Sequence, residues 1–268
     1  MDKPRIRCEI RDGIAEVMLT RGDKLNALDR AMFGAIDETL NQLARQKGLR
    51  AVILHGEGRA FCAGLDVKSM LRQPVAALEI LRREADEATN LAQRVAYGWH
   101  QLPVPVIAVT QGVCFGGGLQ IALGADFRFS TPDCRFSVME IKWGIIPDMS
   151  GSVTLRNLMG VDVAMELAMS GRELDAQEAR ALGLVSRVCE DPLDAAREFA
   201  STLITKSPDA LAGIKQLYHQ AWARSDEVML KEETRLQQQI LGRPNQWRAT
   251  LNSLFRWRLP FGPRRNAL

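Results

Sequence analysis

The sequence predicts an α/β fold in which strands and helices alternate up to about residue 200 and helices alone follow. Three observations carry this: short apolar runs bounded by turn residues, helical apolar spacing between them, and the absence of strand-like runs through most of the chain beyond Ser150. The first element is a hairpin, because "IRCEI" and "IAEVMLT" flank Asp12-Gly13, a pair that readily takes a tight turn. Phe33, Ile36, Leu40 and Leu43 repeat at helical spacing, and "AVILHG" (51–56) follows as a short buried strand. A long helix is expected from Ala77 to His100, where Leu78, Leu81, Ala85, Ala88, Leu91, Val95 and Trp99 recur every three or four residues before Pro103 and Pro105. "VIAVTQGV", "ADFRFS" and "CRFSV" read as strands. "AMELAMSG", "DAQEARALG", "DAAREFASTLITK", "PDALAGIKQLYHQAWA" and a final stretch around Asn245 to Trp257 read as helices.

Composition narrows the class. A chain of 268 residues with 46% hydrophobic and 25% charged residues buries a sizeable core, which excludes disordered and collagen-like classes. Net charge is only +3, although "RWRLPFGPRR" near the end carries its arginines without an acid. Five cysteines without CxxC spacing and a polar opening, "MDKPRIRCEIRDG", lead us to expect a reducing cytoplasmic location. His55, His100 and His219 lie far apart and form no ligand motif, so no metal is expected. No apolar run approaches the ~20 residues of a membrane span, and no nucleic-acid partner is expected.

The glycine triplet in "QGVCFGGGLQIALGADF" calls for a reason, since glycine inside regular structure costs roughly 0.5–1 kcal/mol relative to alanine. A second glycine-containing turn, "GEGRAFCAGLDV", follows the strand at 51–56. Free N–H groups at such turns and at a helix start form an anion site without charged side chains. Two facing turns would make a two-donor oxyanion hole; tight turns and close packing alone are the other explanation.

"GEGRAFCAGLDV", "QGVCFGGGLQIALGADFRFS" and "RFSVMEIKWGIIPDMSGSVTL" together resemble the crotonase superfamily, the enoyl-CoA hydratases and isomerases. The likeness runs from "KLNALD" through "ELDAQEARALGLVSRV" to "SPDALAGIKQL". It implies a crotonase-like spiral of ββα units over residues 1–200, carrying the coenzyme A and acyl site, and a C-terminal helical trimerisation region over 201–268. It also implies a homotrimer or dimer of trimers. Substrates would be acyl-CoA thioesters, with coenzyme A part of the substrate and no permanently bound cofactor. The resemblance assigns the oxyanion donors to the N–H groups of Leu65 and Gly117. It places Lys24, Asn26, Ala27, Leu28, Ala63 and Leu65 near coenzyme A, with Lys215, Arg256 and Arg258 as candidates for its phosphates.

The acidic residues divide the family's reactions. Hydratases carry two glutamates, and here the first position is Gln120, an amide that orients groups but takes no proton at neutral pH. The second is Glu140. Asp148, eight residues on, resembles the second carboxylate of the dienoyl-CoA isomerases, which shuttle a proton between the α- and ε-carbons. Met139, Ile141, Trp143, Ile145, Ile146 and Met149 offer an apolar lining that would raise both carboxyl pKa values. The resemblance thus favours dienoyl-CoA isomerisation. Hydration by Glu140 with Gln120, or a non-catalytic acyl-CoA-binding subunit, are the alternatives. Asp148 as a helix cap and Glu140 as a solvated strand-end charge are the structural ones.

Overall fold

The computed structural model describes residues 4–265 apart from 73 and 223. β1 (Ile6–Arg11) and β2 (Ile14–Leu19) pair antiparallel around Asp12 and Gly13, which both take positive φ, 50° and 80°. The right-handed twist of the flanking strands favours a turn of that hand. Asp29 accepts the Met32 N–H and so starts α1 (Arg30–Arg45), whose Met32, Phe33, Ile36, Leu40 and Leu43 are buried as their spacing predicts. α1 then returns the chain to β3 (Ala51–Gly56), parallel to β2.

From there the chain winds as a spiral. β4 (Val106–Thr110), β6 (Phe127–Ser130) and β8 (Arg187–Val188) extend the large sheet in the order β1-β2-β3-β4-β6-β8, every pair after the hairpin being parallel. A second, smaller layer runs alongside. β5 (Val113–Phe115) pairs in parallel with β7 (Arg135–Ser137), Cys62 bridges to Cys114 on one side, and Phe136 bridges to Leu174 on the other. Successive passes thus place one strand in the large sheet and one rung in the small one. This is the ββα spiral expected from the sequence.

One helix departs from expectation. The stretch 77–100 forms α3 (Pro74–Glu79), which follows α2 (Val67–Arg72), and a separate α4 (Leu91–Gln101). Asn90 and Gln93 make a reciprocal capping box that starts α4 afresh. Ala92, Val95, Ala96 and Trp99 fill the core, while Leu78, Leu81, Ala85 and Ala88 are exposed. Apolar spacing continues across the break, but only its second half has a core to face.

Beyond α5 (Gly117–Leu123), helices α6 (Gly151–Leu155), α7 (Val161–Ser170), α8 (Ala176–Ala181), α9 (Pro192–Leu203), α10 (Pro208–Ala221), α11 (Asp226–Ile240) and α12 (Pro244–Phe255) follow. α11 falls within the region expected to be helical, but no apolar face singles it out in the sequence, only Leu236 of it being buried. α9 lays Ala196 and Ala200 against Ile53, Ile107 and Phe129 of the large sheet. Among the described residues, no helix is long and apolar enough to cross a membrane.

Lys215 corrects a second expectation. It lies buried in α10, 2.8 Å from Asp126 Oδ2, and donates to the carbonyls of Trp99 and Val104 at 3.1 and 2.9 Å. It ties α10 to the corner between α4 and β4 and is not free to meet a phosphate. His219 Nε2 reaches the other oxygen of Asp126 at 2.9 Å, and the His100 ring stacks on His219 with centroids 3.6 Å apart. Burial, then the neighbouring His219 and Lys215, push His100 down to about 3, so it is neutral at physiological pH. Arg256 and Arg258 are exposed past the end of α12.

Candidate active site

The site begins with the loop that joins β2 to α1. Leu25 and Asn26 both take positive φ there, at 51° and 53°. Asn26 is fully buried: its side chain accepts the Arg21 N–H and donates to the carbonyls of Glu57 and Ala60, clamping this loop to the turn after β3. The Ala63 N–H donates to Leu25 O at 2.9 Å. Leu28 then makes a one-residue parallel bridge, donating to Gly64 O at 2.8 Å and accepting from the Asp66 N–H at 2.9 Å. A parallel bridge uses the residues on either side of its centre, so it leaves the N–H of Leu65 facing away from Leu28.

The second loop mirrors the first. Gly64 takes φ 87° just before Leu65, and Gly116 takes φ 50° just before Gly117. Each turns the next N–H out of its loop, a conformation open to glycine and strained for other residues. Neither the Leu65 nor the Gly117 N–H donates to an acceptor among the described residues, whereas Gly116 N–H donates to Ser137 O at 2.9 Å. A Cβ on Gly64 would stand 2.8 Å from Phe115 O and 3.5 Å from the Gly117 nitrogen, so the two turns are packed against each other.

Cys62 joins these parts. Its thiol donates to Asn26 O at 3.1 Å, accepts the Gly64 N–H at 3.4 Å, and lies 2.8 Å from where a Cβ on Gly118 would stand. Burial pushes the thiol up to about 12, so it packs and holds loops and is no nucleophile.

Glu140 opens a 3₁₀ turn, Glu140–Trp143, after β7, and is only 6% exposed. Oε1 accepts from Gln120 Nε2 at 2.6 Å, while Oε2 is buried with no hydrogen-bond partner among the described residues. Its pKa is raised chiefly by burial; the Gln120 hydrogen bond pulls the other way and the nearby Asp148 charge adds to the rise. This carboxylate is no solvated strand end.

Gln120 stands differently from its expected place among the reacting groups. It is 2% exposed, and its Oε1 accepts from the N–H groups of Met149 and Gly151, both at 2.9 Å. With the carbonyl end held by two donors, the amide can only turn its NH₂ toward Glu140. It therefore fixes the Glu140 rotamer and the protonation-dependent contact, and it does not line the cavity. Asp148 is half-buried with a pKa raised by burial, and it does not cap α6: Ser150, at φ 69°, occupies the position before that helix and makes no side-chain cap.

A cavity of about 640 Å³ adjoins Glu140 and the two glycine turns; Asp148, like Gln120, is not part of its lining. Ala63, Gly64, Leu65, Gly116, Gly117 and Glu140 line its inner end. Met139, Trp143 and Ile145 line it as expected; Ile141, Ile146 and Met149 do not, Ile141 packing against Gly171 instead and Met149 lying behind Gly117. Val67, Met70, Leu71, Leu78 and Leu81 form a wall that sequence reasoning missed, because the apolar spacing puts Leu78 and Leu81 in one long helix with Val95 and Trp99. Lys24, Asn26, Ala27 and Leu28 stand outside the lining, Lys24 exposed and Leu28 buried behind the Gly64 turn. Among the described residues, no group of three or more His, Cys, Asp or Glu could hold a metal ion.

The sequence matches the family described as Enoyl-CoA hydratase/isomerase over residues 9–247. The chain belongs to the enoyl-CoA hydratase/isomerase family. Within it, the chain is 31% identical over 258 residues to the 1,2-epoxyphenylacetyl-CoA isomerase of Escherichia coli (strain K12), covering 95% of this chain and 97% of the relative. The crystal structure of an enoyl-CoA hydratase from Bacillus anthracis superposes with a TM-score of 0.87 at 25% identity, covering 96% of this chain and 98% of that one. An enoyl-CoA hydratase from Polaromonas sp. JS666 superposes at 0.85 with 27% identity, over 96% and 99%. Members of one family thus carry both isomerase and hydratase names.

Proposed function

We propose that this chain moves a double bond along the acyl group of a coenzyme A thioester, in its fullest form converting a 3,5-dienoyl-CoA into the 2,4-isomer. One observation carries the reading: Glu140, whose buried Oε2 has no partner among the described residues, lines the same cavity end as the Leu65 and Gly117 loops, whose N–H groups find no acceptor among those residues. Ionised Glu140 takes the α-proton, and the electron pair left behind moves into the thioester carbonyl. Leu65 and Gly117 donate to the oxygen as it becomes negative, a contribution of about 3–4 kcal/mol per donor in comparable sites. In this reading Asp148, whose charge reaches Glu140 although its side chain stands outside the cavity lining, gives a proton to the ε-carbon of the extended enolate once substrate is bound. Each turnover leaves the proton on Glu140 and Asp148 ionised, so a proton returns to Asp148 and leaves Glu140 before the next cycle.

The backbone of Lys24 to Leu28, with Ala63, is the proposed seat of the coenzyme, close beside the thioester end. The exposed Tyr218, Trp222, Trp247, Leu254, Phe255 and Trp257 on and after α10 and α12 support assembly as a homotrimer or dimer of trimers.

A hydratase is the second reading, favoured by the names of the solved relatives. Glu140 would then activate water alone, since both polar ends of Gln120 are engaged. Ultraviolet spectra of 3,5-dienoyl-CoA and 2-enoyl-CoA incubated with the protein separate the two. Growth of a 2,4-dienoyl chromophore that Asp148→Asn abolishes supports the isomerase. Loss of 2-enoyl absorbance that survives Asp148→Asn but not Glu140→Gln selects the hydratase. Absence of both changes, with coenzyme A esters still bound, selects a non-catalytic binder.

A further inference from the structure

The lining of the cavity says what acyl group it takes. Beyond the thioester end its walls include Val67, Met70, Leu71, Leu78, Leu81, Trp143 and Ile145; among the described residues, Glu140 is the single titratable side chain that lines it. A hydroxyl or carboxylate on the distal acyl chain would find no partner there, and an unpaired polar group in an apolar site is strongly disfavoured. Volume sets the second condition. At roughly 30 Å³ per water-sized group, a four-carbon acyl chain fills on the order of a fifth of the space, in a cavity of about 640 Å³.

The outer wall shows a third feature. Leu71 and Leu78 line the cavity yet are 76% and 70% exposed, and Leu81 and Trp143, which also line it, are exposed as well. Leu71 stands on α2, Leu78 on α3, Leu81 in the loop after α3 and Trp143 on the turn after β7, with Met70 and Ile80 buried beside the first three. Four large apolar side chains around one opening remain in water unless a ligand covers them.

Resting on the acyl-thioester reading above, we infer that the substrate carries a bulky, wholly apolar acyl group, medium-length or ring-bearing, whose far end is covered by Leu71, Leu78, Leu81 and Trp143. These four side chains, on α2, α3, the loop after α3 and the turn after β7, are the specificity-determining residues for acyl size. None of them touches the reacting atoms.

Unreactive S-alkyl coenzyme A thioethers test this without turnover. Calorimetric titration of the full chain with S-butyl, S-decyl, S-(4-phenylbutyl) and S-(9-carboxynonyl) coenzyme A gives four dissociation constants. Complete burial strengthens binding about fourfold per methylene; with an open mouth, S-decyl is expected to bind at least about 100-fold more tightly than S-butyl, with the phenyl compound close to S-decyl. The terminal carboxylate should remove most of that gain. Leu78→Ser and Leu81→Ser should weaken S-decyl binding about tenfold each and leave S-butyl unchanged; equal loss for both ligands would show general misfolding and count against a size-setting wall. Equal affinity for S-butyl and S-decyl, or an unpenalised carboxylate, overturns the inference. The reaction itself is read separately: turnover that survives Glu140→Gln would remove the proposed chemistry while leaving this ranking of ligands as it stands.

Discussion

The two ends of the cavity are built by opposite means. The inner end is backbone: Gly64, Leu65, Gly116 and Gly117 present amides, and each loop is held by its neighbour, by Cys62 and by Asn26. The outer end is side chain: Leu71, Leu78 and Trp143 stand largely in water on short elements. The difference teaches that a charge forming at one fixed atom needs donors that cannot move, whereas an apolar group of variable shape needs only area. Substitutions at the inner end should therefore cost rate, and those at the outer end affinity for particular acyl groups.

The most damaging change to this contrast is Glu140→Gln, which keeps the shape and removes the base; kcat should fall by about 10²–10⁴-fold with thioether binding unchanged in calorimetry. Gly64→Ala is next. A methyl there meets Phe115 O at 2.8 Å on a backbone held at φ 87°, so the Leu65 N–H is displaced and kcat should drop by about 10²-fold, more than KM changes. Cys62→Ala removes the thiol link between the two loops, a loss of about 1 kcal/mol for one neutral hydrogen bond; about a fivefold fall in kcat at constant KM is expected.

Smaller shifts sharpen the picture through pH. Glu140 works ionised, so activity falls as pH drops through its raised pKa. Asp148→Asn removes a nearby negative charge, lowers the Glu140 pKa and moves the acid limb of residual hydratase or exchange activity to lower pH. Gln120→Leu removes the hydrogen bond that favours the ionised form and moves the limb to higher pH. Deuterium exchange at the α-carbon of a saturated acyl-CoA reads both limbs; shifts in the same direction would refute the assigned contacts. At the outer end, Leu71→Ala should alter kcat on a four-carbon ester by less than about twofold, as for exposed sites generally.

Much of this was legible beforehand because it depends on local rules. The Asp12-Gly13 hairpin, α1, β3 and β4 follow from turn chemistry and periodicity within one element. The family resemblance pointed to Leu65, Gly117 and Glu140, which the fold brings to one cavity end. Where partners lie far apart in the chain, sequence reasoning failed: Lys215 was offered to a phosphate but is neutralised by Asp126, and Gln120 was offered to water but is held by Met149 and Gly151. The helix expected at 77–100 failed for a related reason, since its first half has apolar spacing with no core opposite it.

By itself, then, the sequence determined the alternating architecture, the glycines able to take positive φ before each donor, and which carboxylates are present at 140 and 148. Only the tertiary structure decided which polar atoms are consumed by other parts of the chain and which are left unpaired. That choice is made by burial: removing water makes an orphan oxygen on Glu140 costly and reactive, and burial is a property of every element packed around a residue, not of the residue's own neighbours in the chain.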